Sequence, residues 1–288
     1  MTLVTVLTYQ NHRADLIRQS TQKTQLILEQ LAINTDTYLE ELFRLCLSPY
    51  YQKSVMDQLQ SVPQTPAQRL QKQRVIEDFL GEVMTVPRSD ILRAIVLSDR
   101  VYISSKTRYA ADIPENFQDE SWFQDAVKST APVFIPIHVE TQGRSSLSVF
   151  SVAQRLLSTR NASDVLGVIR VDANYLGIKT VCDRAEVSQG NALFILDSAG
   201  NQIYANSLLE GGVTVRDVLS ALEELPGEGS YFRKISGAEY IFSIKQLRAT
   251  DWRVIDVHST RELTRDAAVV RDKAIFWALL CAAGSVLI

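Results

Sequence analysis

The sequence has little cysteine and no metal-binding spacing. Its three cysteines, Cys46, Cys182 and Cys281, lie far apart and form no C-x-x-C pair, so we expect neither a zinc site nor a disulfide scaffold. The three histidines are equally dispersed and form no H-E-x-x-H pattern. We therefore predict no metal and no cofactor. A single Cys46–Cys182 disulfide stays open, because pairing cannot be deduced from sequence alone.

Motifs of nucleotide-binding and nucleophilic enzymes are also missing. The chain contains no phosphate-binding G-x-x-x-x-G-K-[ST], no dinucleotide-binding G-x-G-x-x-G and no G-x-S-x-G. The acidic pair Glu223-Glu224 falls on a predicted exposed helix, which favours a solvated surface over an acid/base pair. We therefore predict that this chain is not an enzyme. The alternative, a membrane-anchored enzyme, would need a catalytic constellation that the sequence does not show.

The chain has no excess of basic charge and few residues that break regular structure. Its net charge is −3, so we expect no nucleic-acid partner. With 46% hydrophobic residues, 12 glycines and 8 prolines in 288 residues, it is neither disordered nor collagen-like. The length alone predicts about two domains.

Both ends of the chain are apolar and uncharged. Residues 1–9 (MTLVTVLTY) and 274–288 (AIFWALLCAAGSVLI) are each shorter than the roughly 20 residues that span a bilayer. We interpret them as the end of a first and the start of a second transmembrane helix, with residues 261–273 juxtamembrane. This predicts a cell-membrane protein in which residues about 10–273 are extracytoplasmic. The alternative is a frayed N-terminal strand and a buried C-terminal helix.

A long helix is predicted to follow the first apolar end. Residues 10–51 contain no glycine, and the only proline is Pro49 near the end. Leu28, Leu31, Tyr38, Leu42 and Leu45 follow a heptad pattern in which Thr35 fills one position. We predict that this stripe pairs two chains in a homodimer. Together with the break at 62–66 (VPQTP), residues 10–66 form a predicted stalk.

The rest of the chain is predicted to contain the same order of helices and strands twice. A helix over 67–84 is followed by strands at 91–97 and 101–104, a helix at 119–129 and strands at 133–139, 147–157 and 165–171. Strands at 192–196 and 202–205, a helix at 213–225 and strands at 230–235, 239–246 and 252–257 then repeat the order β-β-α-β-β-β. Such a recurrence is typical of tandem modules. The predicted fold class is α+β, with antiparallel sheets in modules at 67–190 and 191–260. The alternative is a single mixed domain.

Several stretches carry a resemblance to a known family. They are NTDTYLEELFRLCLSPYY (34–51), DILRAIVLSDRVYISSK (90–106), ESWFQDAV (120–127), LGVIRVDAN (166–174) and FILDSAGNQIYAN (194–206). In this order, between apolar ends, they resemble double Cache (dCache) extracytoplasmic sensor domains, whose modules are PAS-like. The amino-acid sequence of these stretches is most similar to that of YesM-type sensor histidine kinases of Gram-positive bacteria.

The resemblance implies a ligand-sensing domain of a membrane signalling protein. The ligand would lie in the membrane-distal module, 67–190, or the domain would sense through a solute-binding protein. The parent would be a two-component sensor histidine kinase whose kinase part is not in this sequence. A chemoreceptor, a diguanylate cyclase or a membrane-bound transcription regulator are the alternative outputs. A structural or interaction module that senses nothing is a further alternative.

The resemblance also implies a set of ligand-binding residues. Trp122-Phe123 matches an aromatic pair of amino-acid-binding dCache domains, and Asp172 matches the aspartate that holds the ligand amine. Asp119 stands where an arginine would grip the ligand carboxylate, and Phe150 stands where a tyrosine is expected.

These departures favour a sugar, an amine or another cation over an ordinary amino acid. His138, in a predicted strand, is a further candidate for the pocket. The alternatives are core positions for Trp122 and Phe123, a cap for Asp172 and a packed or surface position for His138. We expect Trp122→Ala and Asp172→Ala to abolish stabilisation by ligand and to leave the fold intact.

Overall fold

The computed structural model divides into two compact units, each built on one five-stranded antiparallel sheet. We call residues 37–181 the first-sheet unit and residues 1–36 with 182–288 the second-sheet unit. The structure describes residues 2–85, 88–105, 116–142, 145–185, 191–206, 214–225, 227–265, 272–273 and 276, apart from the side chains of 2–9, 140–142, 145–147, 215 and 223. The α+β class with two antiparallel modules is confirmed.

A single long helix opens the chain, as the sequence predicts. Helix α1 runs over Thr2–Leu47 and passes into a 3-10 turn at Ser48–Tyr51. Proline lacks the amide hydrogen that a continuing α-helix needs, so Pro49 marks the end of the regular helix. Two further helices follow, α2 over Lys53–Leu59 and α3 over Pro66–Thr85.

The apolar stripe of α1 has a different role from the predicted one. Leu28, Leu31 and Thr35 are buried in the second-sheet unit, and Tyr38 and Leu42 are buried in the first-sheet unit. The heptad spacing therefore reflects packing of the helix onto its own chain. The sequence of such a stripe does not reveal whether it packs on its own chain or on a second chain, because both arrangements bury the same helix face.

The first sheet carries α4 on one face. Its spatial order is β2-β1-β5-β4-β3. The strands are β1 (Ile91–Leu97), β2 (Val101–Ser105), β3 (Val133–Gln142), β4 (Ser145–Leu157) and β5 (Val165–Asn174), and α4 spans Ser121–Lys128. Ala126 of α4 packs with Ala153 and Val168 of the sheet. On the other face, the Sγ of Cys46 in α1 lies 3.6 Å from the carbonyl oxygen of Val152.

The second sheet repeats this topology. Its order, β7-β6-β10-β9-β8, is the first order shifted by five strands, which confirms the predicted repeat. The elements are β6 (Ala192–Leu196), β7 (Gln202–Ala205), α6 (Val215–Glu223), β8 (Gly229–Ile235), β9 (Ala238–Gln246) and β10 (Arg253–Ser259). Thr214 and Asp217 close a capping box at the start of α6. Val218 and Leu222 of this helix pack on Phe194 and Phe242 of the sheet.

Three short helices were not predicted from the sequence. They are α2, α5 over Tyr175–Asp183, and α7 over Thr260–Leu263. Helices α2 and α7 have seven and four residues, too few to show a helical period, and α5 begins directly after β5 with no turn between them.

The predicted transmembrane segments lie outside what the structure describes, apart from helical backbone from Thr2 and the single position Phe276. No helix among the described residues is both long and apolar enough to cross a bilayer. Cys46 and Cys182 are buried and not disulfide-bonded.

Candidate functional site

A group of charged and polar side chains lies on the α4-covered face of the first sheet. In the strand register, Asp172 of β5 is opposite Arg93 of β1 on one side and Ser151 of β4 on the other. Directly opposed residues of antiparallel strands point to the same face of the sheet. Three side chains from three strands therefore converge on one point.

The carboxylate of Asp172 is fully buried and is held by these neighbours. One oxygen accepts the Nε–H of Arg93, and the other accepts the Nε–H of Arg170 at 2.6 Å and the Ser151 hydroxyl at 2.6 Å. A buried carboxylate would be strongly destabilising unless cations and hydrogen bonds compensated its lost hydration. Charge-assisted bonds from two guanidinium groups supply that compensation.

Arg170 connects Asp172 to two of the predicted ligand residues. Its guanidinium carbon lies 5.0 Å from the centroid of the Trp122 ring, within the range of a cation–π interaction. Its Nη2 lies 3.3 Å from Nε2 of His138. The structure thus brings Trp122, His138 and Asp172 together around Arg170, a residue that the sequence analysis did not single out.

Two contacts of His138 distinguish its two ring nitrogens. Its Nδ1 lies 3.0 Å from the carbonyl oxygen of Pro136, which can only accept a hydrogen bond. The arginine at Nε2 can only donate, so Nε2 accepts and Nδ1 carries the proton. These two contacts match the Nδ1–H tautomer of the imidazole ring.

Phe123 lies in the same region, where it packs against other aromatic rings. It meets Trp122 edge-to-face at a centroid distance of 6.0 Å and Phe117 at 5.2 Å. Both Phe123 and Trp122 are half-buried and lean on an apolar cluster that contains Ile95 and Leu97. The aromatic pair therefore closes the apolar side of the site, and Trp122 also contacts the polar side through Arg170.

Phe150 lies on the other face of the sheet. It precedes Ser151 on β4 and is opposite Ala173, so the alternation of side chains turns it away from Asp172. It is fully buried and stacks on Phe134, with ring centroids 6.1 Å apart and planes at 12°. The structure does not bring Phe150 together with the other four predicted residues.

Two arginines and a serine of this cluster were missed by sequence reasoning. Arg93 interrupts the apolar strand ILRAIVL, and Arg170 interrupts GVIRVDA. A charged residue inside a strand that is buried on both faces is the signal that could have identified them. Asp119, at the position where an arginine was expected, lies in a 3-10 turn at 117–119, outside the sheet. In the described part of the chain, no three His, Cys, Asp or Glu side chains are placed to hold a metal ion.

Solved structures of bacterial sensory domains have this fold. The sensory domain of the Campylobacter jejuni chemoreceptor Tlp3 with isoleucine bound aligns with a TM-score of 0.61 and 13% identity, over 88% of this chain and 97% of that one. The ligand-binding domain of the Pseudomonas aeruginosa amino acid chemoreceptor PctC in complex with GABA gives 0.56 and 17%, over 83% and 99%. That of Pseudomonas fluorescens CtaA in complex with L-isoleucine gives 0.56 and 12%, over 90% and 98%.

The family assignment comes from the sequence. No curated protein matches the chain in sequence. The profile of the Cache domain family (dCache_1), however, matches residues 12–267, which is nearly the whole chain and includes both sheets. The protein belongs to the Cache domain family.

Proposed function

We propose that residues 10–273 form the extracytoplasmic sensory domain of a membrane signalling protein and bind a small ligand in the first-sheet unit. Membership of the Cache family supports a sensory role. The chemoreceptor domains with the same fold were solved with amino acids or GABA bound.

The ligand site that we propose is the α4-covered face around Arg170. One observation carries this choice: Asp172, Arg170, His138 and Trp122 form a connected polar and aromatic cluster beside the apolar contacts of α4 with the same face of the sheet. Charged groups in such a place do little for stability compared with apolar residues of the same size. A recognition role explains their presence. Phe123 would form the apolar wall of the site.

The contacts of Asp172 bear on the class of ligand. Both carboxylate oxygens already accept hydrogen bonds from arginines, so a ligand amine that bonds Asp172 would lie beside these guanidinium groups or release one of them. An amino acid carries a carboxylate that can bind the released guanidinium group, which a simple amine or a sugar does not. We therefore place amino acids first among the ligands to test, ahead of the sugars and amines that the sequence favours.

Thermal unfolding with a panel of amino acids, amines and sugars tests this proposal. A ligand at a hundred times its Kd should stabilise the domain by about 2.7 kcal/mol. Trp122→Ala should remove that gain, whereas Tyr51→Ala, an aromatic truncation at an exposed position of the same unit, should keep it. If Trp122→Ala binds the ligand normally, the site is elsewhere. If this variant does not fold, His138→Gln provides the same comparison.

The output of the parent protein is a separate proposal. Local sequence similarity favours a YesM-type sensor histidine kinase. The solved structures with the same fold support a chemoreceptor equally well. The flanking coding sequence distinguishes the two. A phosphoacceptor histidine helix with an ATP-binding domain would support the kinase, and a methyl-accepting coiled coil would contradict it.

We also propose that the domain works as a membrane-anchored homodimer. The predicted heptad stripe is buried in its own chain, so the contact would use the opposite face of α1. Leu26 and Ile33, seven residues apart, are exposed there at 68% and 47%. Equilibrium sedimentation of the whole chain in detergent tests this, with Leu26→Glu expected to weaken the association. A monomer at every concentration would contradict it.

A further inference from the structure

The second-sheet unit contains a cavity that lies outside the proposed ligand site. It has a volume of about 310 Å³, at the lower end of the range for small-molecule sites. Gln25, Leu28 and Glu29 of α1 line one side, at the spacing that places residues on one helix face. Glu228, Gly229, Ile244 and Lys245, around the start of β8 and the end of β9, line the other. We call this the α1–β9 cavity.

The walls of the cavity are fixed by packing and hydrogen bonds. Leu28 and Ile244 are almost completely buried and provide an apolar floor. Gln25 donates from Nε2 to the Ser230 hydroxyl at 3.2 Å, and Ser230 is in turn 2.9 Å from the hydroxyl of buried Ser243. The amide oxygen of Gln25 is an acceptor at this wall, because the amide nitrogen is the atom that bonds Ser230.

Gly229 lines the sheet side of the cavity. Its φ of +135° lies in a region that side-chain-bearing residues rarely adopt. A Cβ atom here would also come within 3.1 Å of the Tyr231 hydroxyl. A residue with a side chain at this position would therefore have a strained backbone and press on the Tyr231 ring.

The charges around the cavity favour a cation. Glu228 bonds the backbone N–H of Gln246 at 3.0 Å and the Lys245 ammonium at 3.2 Å, and these groups hold its pKa below the ordinary value. Glu228 and Lys245 form an ion pair, and the positive charge of Arg248 also acts on Glu228. Glu29 is exposed and has no ion pair within the described portion of the chain, so among the lining residues its carboxylate is the charge that a cation can pair with.

We propose that the α1–β9 cavity binds a small organic cation, an alkylammonium with a body of a few carbons. Its ammonium group pairs with Glu29 and donates to the amide oxygen of Gln25. Its carbon chain contacts Leu28 and Ile244. This site is separate from the one proposed around Arg170, and its ligand acts on the second-sheet unit.

The probe for this site is n-butylammonium chloride, with sodium butyrate as the anion of matched size. Titration of the whole chain over the millimolar range, followed by amide chemical shifts, should move the signals of Gln25 and Gly229 with butylammonium and not with butyrate. Glu29→Gln should raise the Kd about tenfold, the loss expected for one charge-assisted hydrogen bond. Lys245→Gln should lower it, because it removes the cation beside the ligand.

Two control variants make the result decisive. Glu40→Gln is the same substitution at an exposed position of α1 outside the cavity and should leave the Kd unchanged. Trp122→Ala should also leave it unchanged, which separates this site from the proposed sensory site. Equal binding by Glu29→Gln and Glu40→Gln, equal shifts with butyrate, or no shifts with butylammonium would each overturn the proposal.

Discussion

Removal of the Asp172 side chain tests whether Asp172, Arg93 and Arg170 compensate one another's buried charges in the first sheet. Asp172→Ala would leave Arg93 and Arg170 without the buried carboxylate that both of them contact. Loss of one partner of a buried ion pair costs about 3–5 kcal/mol. We therefore expect the unfolding free energy of the first-sheet unit to fall by about that amount, which differs from the expectation from sequence that the fold stays intact.

Urea unfolding measures this loss. In a Trp252→Phe/Trp277→Phe background, fluorescence reports on Trp122, which lies in the same unit as Asp172. With a denaturant slope of about 2 kcal/mol per molar urea, the midpoint should fall by roughly 2 M. Asp57→Ala, which removes an exposed carboxylate paired with Lys53 in the same unit, should lower the unfolding free energy by at most about 1 kcal/mol.

A triple variant separates unpaired charge from lost volume. Arg93→Met/Asp172→Leu/Arg170→Met removes all three charges and keeps the approximate volume, and such replacements are often neutral or stabilising. We expect it to recover most of the stability that Asp172→Ala loses. If Asp172→Ala is no less stable than Asp57→Ala, or if the triple variant is as unstable as Asp172→Ala, the compensation argument is refuted.

Three further predictions concern the first-sheet unit. Gly177→Ala should lower the melting temperature of this unit, because a Cβ at position 177 would lie 2.3 Å from a carboxylate oxygen of Asp90 and 2.5 Å from the Tyr38 hydroxyl. An unchanged melting temperature would contradict this packing. Burial alone would raise the pKa of Asp90, but the hydrogen bonds and charge of Arg88 outweigh it and hold the pKa below the ordinary value. The stabilisation is therefore present above about pH 4 and lost as the pH falls through the folded-state pKa, so Asp90→Asn should flatten the acid side of a stability–pH curve measured in urea. Burial, and to a lesser extent the Asp172 carboxylate, raises the pKa of the Cys46 thiol, so iodoacetamide should label it in urea and not in the native protein, as peptide mass spectrometry will show.

The repeated order of elements could be predicted because it depends on local patterns. The apolar run 192–196 is buried at every position of β6, and the boundaries of this strand and of β1 match the predicted ones. Alternation and burial act within a few residues, and turn residues punctuate them. Helix α5 was missed because it follows β5 without a turn and its apolar stripe is weaker than those of α4 and α6, which are equally short.

The site depended on information that no local pattern contains. Trp122, His138 and Asp172 were selected by resemblance or by local pattern, and a single sequence gave no reason to connect them through Arg170. That connection follows from the register of β5 against β1 and β4, which places Arg93 and Ser151 beside Asp172. The same register turns Phe150 to the opposite face, since a shift of one residue along a strand reverses the direction of the side chain.

The apolar stripe of α1 also shows what a local sequence pattern can determine and what only the tertiary structure can. From Leu28 to Leu42, the amino acids themselves dictate that one face of α1 is apolar and must be covered. Hydrophobic burial has no direction, so the pattern could not determine whether a second chain or the protein's own sheets cover it. The tertiary structure decides this, and buries Leu28 in one unit and Leu42 in the other. Periodicity depends on near neighbours in the chain, whereas the partners of the buried face are distant in the sequence, as in the hydrogen bond from Tyr38 to Asp90.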